Sequence, residues 1–157
     1  MSNIGRRLAD PMTFETLFIG ILVAVLYVEI LDIYPGGIIV PGYIALFLDQ
    51  PLRVLATILI ALLSLLTYRL LSHFLILYGR RRFVTMVLLG ALWAEVWFLL
   101  LPHFFTSPLE LKAIGWLIPG LLANNLEKQK FLPTLASMIT VSIITFFLVR
   151  LFLLKIE

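Results

Sequence analysis

Cysteine is absent from this sequence, which excludes disulfides and thiolate metal sites and leaves no mark of a redox compartment. Histidine occurs twice, as His73 and His103, and two isolated imidazoles do not make the ligand-spaced cluster of a zinc enzyme. No basic patch interleaves with aromatics, so nucleic acid is not an expected partner. No nucleophile–base pair, paired-carboxylate site or GxxxxGK[ST] loop is visible, so no catalytic residue, metal or cofactor is assigned, and any nucleotide chemistry belongs to another chain. Charge is scarce as well: 13% of residues are Asp, Glu, Lys or Arg, where a soluble domain carries about 25%.

What fills the space is apolar. Of 157 residues, 62% are hydrophobic, more than so short a chain can bury away from water. Lipid is therefore the expected solvent, and an all-α integral membrane protein with a single membrane domain over 1–157 is the expected fold class. Four apolar runs reach the length of about 20 residues that crosses a hydrocarbon core: 14–33, 52–76, 83–101 and 132–154. The second run is long enough to tilt, or to project its end "HFLILY" into the interface. Arg6 and Arg7 precede the first run as in a signal peptide, but no small-x-small cleavage site follows, and Glu29 and Asp32 close the run. An uncleaved first membrane helix is expected, and a twin-arginine address is the weaker alternative.

Two stretches interrupt the apolar pattern, "GGIIVPGYIALFLDQP" and "AIGWLIPGLLANNLEKQ". Each is too short for a spanning helix. If neither crosses, Arg6, Arg7, Arg69, Arg80, Arg81, Arg82, Arg150 and Lys155 share one side against Arg53, Lys112, Lys128 and Lys130 on the other. That eight-to-four split satisfies the positive-inside tendency, with both termini and the "GRRRF" loop cytoplasmic. The expectation is four transmembrane helices plus two re-entrant Pro-Gly segments.

An offset of 78 aligns Gly37 with Gly115, Pro41 with Pro119, Gly42 with Gly120, Ala45 with Ala123, Ser64 with Ser142 and Thr67 with Thr145. "GILVAVLY" from Gly20 matches "GALWAEVW" from Gly90 at a shorter offset. The chain therefore reads as two repeats, about 14–76 and 83–154. Two spans per half imply parallel repeats about an axis along the membrane normal.

Proline removes a backbone donor and disfavours helix in the preceding residue, while glycine permits positive φ and close backbone approach. Each Pro-Gly pair is expected to stop one segment and start a short half-helix, "PGYIALFL" or "PGLLANNL". Its N-terminal N–H groups would aim at the protein interior, where an anion can be received. Pro41, Gly42, Tyr43, Pro119, Gly120, Asn124 and Lys128 are thus candidate residues for anion handling and passage; helix packing alone is the bland reading. Arg80, Arg81 and Arg82 are the candidate dock for a cytoplasmic partner or an anionic polymer, against plain anchoring to anionic lipid. Glu95 is an intramembrane acid that could pair with Arg69 or face water. Glu29 and Asp32 read as interfacial. Ser64, Thr67, Ser142 and Thr145 are expected to mediate helix contacts, and Trp93, Trp97 and Trp116 to pack or to sit in the interfacial belts.

The combination of "VPGYIALFLDQP", "LLTYRLL", "FLILYGRRRF" and "IGWLIPGLLANNLEKQK" resembles the PgsC/CapC family, the small membrane subunit of bacterial poly-γ-glutamate (capsule) synthesis machinery. The resemblance runs from about Phe18 to the C-terminus. Matching positions are Val40 to Tyr43, Gln50, Pro51, Thr67, Tyr68, Leu77 to Arg81, Phe83, Ile118 to Asn124, Lys128 and Gln129. Departures are Asp49 where the family often has Asn, Lys130 where it has Gly, and a longer polar extension before Thr13. The resemblance implies a cell-membrane protein that is not an enzyme by itself. It implies a cytoplasmic ATP-dependent amide ligase partner (PgsB/CapB-like), a membrane-anchored outer subunit (PgsA/CapA-like) and poly-γ-glutamate as the polymer passed outward. With so few spans, a homo-oligomer is expected. The competing readings are a stand-alone transporter or channel for anionic metabolites, and a membrane enzyme using Glu95 or Glu29.

Overall fold

The computed structural model describes residues 11–76, 78–104 and 114–156, so Arg6, Arg7, Leu77 and Lys112 lie outside the described residues. Among the described residues six helices follow one another: α1 (Pro11–Leu31), α2 (Val40–Leu46), α3 (Pro51–Ser72), α4 (Arg80–Phe104), α5 (Ile118–Lys128) and α6 (Phe131–Ile156). Four of them, α1, α3, α4 and α6, contain stretches long and apolar enough to cross a membrane. Proline opens α1 and α3 at the first position, where its missing N–H has no helical partner to lose. The "HFLILY" end of the second run leaves the helix at Ser72, and Phe74, Ile76 and Tyr78 stand exposed.

The chain forms two compact units, one from 1–49 with 135–157, the other from 50–134. They cut across the sequence halves: α1 and α2 are grouped with α6, and α4 and α5 with α3.

In the first unit, α2 lies against α1. A Cβ on Gly20 would stand 2.6 Å from the Gly42 Cα and 3.4 Å from the Thr145 methyl on α6. Membrane helices gain little from apolar attraction to each other, so such backbone approach through small residues is what binds them. Ser142 on α6 donates to the Pro41 carbonyl at 3.2 Å while keeping a 2.7 Å bond to its own Met138 carbonyl. Arg150 meets Asp49 at 3.9 Å, and its guanidinium stacks 4.8 Å above the Phe146 ring. Farther along, α1 and α6 leave an apolar cavity of about 560 Å³ lined by Phe18, Leu22, Leu26, Leu148 and Phe152, with Glu15 at its edge. The start of α1, the end of α2 and the end of α6 therefore share one end of this unit.

In the second unit, α3, α4 and α5 pack mutually. A Cβ on Gly90 of α4 would stand 2.4 Å from both the Cα and the N of Gly120 on α5, the counterpart of the Gly20–Gly42 approach. Trp93 donates its indole N–H to Thr67 at 2.9 Å, tying α4 to α3. Thr57 donates to the Arg53 carbonyl and accepts from the Ile114 N–H at 2.9 Å. Farther along α3, Arg69 meets Glu127 at 3.2 Å.

The path through this unit differs from the sequence expectation. Ile114 sits at Thr57, and Glu127 sits at Arg69, twelve residues and about 18 Å farther along α3. By Lys128 the chain is back beside Gly79, Arg80 and Arg82, at the end where α4 began. Lys128 therefore lies on the same end as the arginine cluster, not on the opposite side where the basic-residue count puts it.

Candidate functional site

Both Pro-Gly helices begin one residue earlier than expected, at Val40 and Ile118, with the proline in the first turn. The residues ahead of them supply the turn. Gly37 and Gly115, paired by the sequence offset, hold φ of 116° and 67°, as does Gly36 at 71°. L side chains rarely adopt such backbone, and glycine does so freely. Neither short helix has a side-chain N-cap.

Val40, Pro41 and Gly42 are buried, as are Ile118, Pro119, Gly120 and Asn124, while Tyr43 is half-buried and Lys128 exposed. The first turns are packed against α1 and α4 through the glycine contacts described above. Packing thus accounts for Gly20, Gly90 and Gly120 directly.

Asn124 is different. It is 3% exposed, and its Oδ1 finds no hydrogen-bond partner among the described residues. A buried, unpaired amide oxygen costs on the order of 1–3 kcal/mol, so this position is not explained by packing. Gln50 Oε1, directly before α3, is likewise buried and without a partner.

The cationic end of the second unit is the clearest polar feature. Gly79, Arg80, Arg82, Phe83, Val84 and Lys128 line a cavity of about 630 Å³. Sequence reasoning places Arg80 to Arg82 in one group and Lys128 in another; the structure brings Arg80, Arg82 and Lys128 together. Glu95 is exposed on α4, and it does not pair with Arg69, whose guanidinium is taken by Glu127. Of the hydroxyls expected at helix contacts, Thr67 and Ser142 make cross-helix bonds, whereas Ser64 and Thr145 bond their own helices.

Asp49 and Glu127 are residues that sequence reading missed. They end the two short segments at the same offset of 78, and each pairs with an arginine late in a long helix, Arg150 or Arg69. That offset was the available signal.

A long-helix membrane protein with two glycine-packed Pro-Gly helices and a cationic end is the class these features define. Residues 19–135 match the family described as Capsule biosynthesis CapC, and the chain belongs to that family. It is 37% identical over 137 residues to the PGA biosynthesis protein CapC of Bacillus subtilis (strain 168), covering 85% of this chain and 90% of that one. It is 32% identical over 141 residues to the Capsule biosynthesis protein CapC of Bacillus anthracis, covering 88% and 94%. No solved structure matches it significantly.

Proposed function

We propose that this chain is the integral-membrane subunit of a poly-γ-glutamate capsule synthase. In this reading it supports a cytoplasmic ATP-dependent amide ligase (PgsB/CapB-like) and an outer, membrane-anchored subunit (PgsA/CapA-like), and lets the anionic polymer cross. It carries no chemistry of its own. The observation that carries the reading is the family match, whose span of 19–135 contains both Pro-Gly segments and the arginine cluster. The physical case agrees: a chain with a carboxylate on every residue cannot cross hydrocarbon unaided. Pro41, Gly42, Tyr43, Pro119, Gly120, Asn124 and Lys128 are the proposed passage residues. Among them, the unpaired Asn124 amide is the side chain most suited to meet a polar cargo at depth. Arg80 to Arg82 are the proposed dock for the ligase, and Glu95, exposed on a spanning helix, is the proposed contact to a second copy or to water.

The two halves are proposed to be repeats, supported by the matched glycine approaches and the matched acids of the two ion pairs. Each half then traverses the membrane three times, because its Pro-Gly segment returns the chain to the end where the preceding helix started. An odd number of passes relates such repeats by an axis in the membrane plane, rather than the axis along the normal that two passes would give. Within the second unit Arg69, Arg80, Arg82 and Lys128 gather at one end. The arginine cluster is proposed to face the cytoplasm, since closely spaced arginines beside a spanning helix weigh heavily in orientation.

Affinity purification in mild detergent at near-native expression tests the subunit reading. A co-purifying ligase, with ATP turnover that depends on glutamate, is the expected result. A chain that purifies alone, and that carries a small-anion current in proteoliposomes, would instead establish the stand-alone transporter.

A further inference from the structure

We propose that the cavity formed by Arg80, Arg82 and Lys128 is a binding site for a short run of carboxylates, the place where the membrane subunit first holds its polyanion. The proposal rests on the polymer reading above and assigns it a location. Four observations converge on this cavity.

The first is unbalanced charge. Arg80, Arg82 and Lys128 make no ion pair with any described residue, and the neighbouring acid, Glu127, is already engaged by Arg69. Three cations around one hollow, without an ion-pair partner among the described residues, are available to an outside anion, and carboxylate–arginine contacts are among the stronger hydrogen bonds. The second is shape. The three cations line a shallow, open hollow of about 630 Å³, roomy enough for several carboxylates together. The third is backbone. The cavity opens at the start of α4, a helix of 25 residues, whose free first-turn N–H groups add positive potential. Gly79, directly before it, has no side chain to cap those groups, holds φ of +60°, and has nothing within 4 Å of where a Cβ would sit. The mouth is open there.

The fourth observation is connectivity. Arg80 and Arg82 belong to α4, but Lys128 ends α5, the helix that carries the buried, unpaired Asn124. Asn124 and Lys128 are four residues apart, hence about one turn apart on the same helix face. An anion held at Lys128 is thus one turn from the unsatisfied amide. Adhesion to lipid headgroups needs only the exposed arginines and gives no role to Lys128 joining them in a hollow, nor to Asn124.

The test uses the full-length chain in a neutral detergent, titrated with a fluorescent γ-linked glutamate oligomer at low and high salt. Arg80→Gln, Arg82→Gln and Lys128→Gln are combined, and Lys130→Gln, which removes one cation of the same stretch outside the cavity lining, is the single-charge control. These side chains are partly or fully exposed, so the variants should elute from size exclusion as the wild type does. The expected result is binding weakened by at least about tenfold in the triple variant and by less than about twofold in Lys130→Gln. Equal binding by triple variant and wild type overturns the site. So does an equal loss in Lys130→Gln, which would reduce the effect to bulk charge. In a second arm, vesicles containing anionic lipid compete with the oligomer, and full displacement at comparable concentration would make this a headgroup site. Ligase co-purification with unchanged oligomer binding by the triple variant sinks the cavity and spares the subunit reading. Specific binding without any ligase does the reverse.

Discussion

Alanine at Gly120 or Gly90 is expected to remove most of the folded protein from the membrane, whereas alanine at Gly42 leaves it near the wild-type level. The three glycines look interchangeable in sequence, and the geometry separates them. A Cβ on Gly120 would stand 2.7 Å from the Val87 Cα and 2.9 Å from the Met86 carbonyl, and one on Gly90 would stand 2.4 Å from Gly120 backbone. All of these neighbours are main chain, so no rotamer change relieves the clash; the helices must separate. Overpacking a tight interface costs about 1–3 kcal/mol, and more where backbone must move. In lipid no hydrophobic gain compensates for the lost approach. A Cβ on Gly42, by contrast, meets Leu17 atoms at 3.5 to 3.6 Å, an ordinary contact. Gly20→Ala groups with the severe set, since its Cβ would lie 2.6 Å from the Gly42 Cα. Size-exclusion profiles of detergent extracts, read against temperature, give the comparison. Wild-type profiles for Gly90→Ala and Gly120→Ala would mean that α4 and α5 do not approach as described.

The second large effect concerns which residues share a face of the membrane. Because the sequence contains no cysteine, any single cysteine introduced is the only reactive thiol. Arg80→Cys and Lys128→Cys are expected to react with an impermeant maleimide from the same side, since both positions line one cavity. Asp49→Cys and Lys155→Cys are expected to share a side with each other. For Asp49 the reason is its partner Arg150, which stands near the end of the last helix. Labelling of an intact cell and of inverted vesicles converts this into nearly all-or-none signals. Reaction of residues 80 and 128 from opposite sides would restore the four-span path with two re-entrant segments.

That disagreement shows where sequence stops being informative. The four long helices were legible, because about 20 consecutive apolar residues in lipid have few other ways to satisfy their backbone. The Pro-Gly helices were legible too: Gly37 and Gly115 sit at the same offset, and the structure gives both a positive φ. The fate of the second segment was not. Counting residues assumes a helical rise of about 1.5 Å each, whereas irregular chain can advance by up to about 3.3–3.6 Å. A short helix preceded by non-helical residues, as α5 is by 114–117, therefore reaches farther than its length suggests. Lys128 was misplaced for that reason.

The candidate site was half legible. Arg80 to Arg82 and Lys128 were each conspicuous, but their juxtaposition needs α5 to run antiparallel to α4, which composition does not encode. The partner of Arg69 was left open, since Glu95 could pair with it or face water; Glu127 closes α5 beside Arg69 and takes it, and Glu95 is exposed. Asn124 was singled out for its place after the Pro-Gly pair, and only burial shows that its amide oxygen goes unsatisfied.

The central claim, that this chain serves capsule polymer synthesis and passage, is tested most directly in its own host. The chromosomal copy is deleted, the wild type is returned on a plasmid, and polymer outside and inside the cells is quantified with the ligase level held constant. The account expects surface polymer to vanish on deletion and to return with the wild-type chain. Surface polymer at the undiminished level in the deletion strain would contradict it.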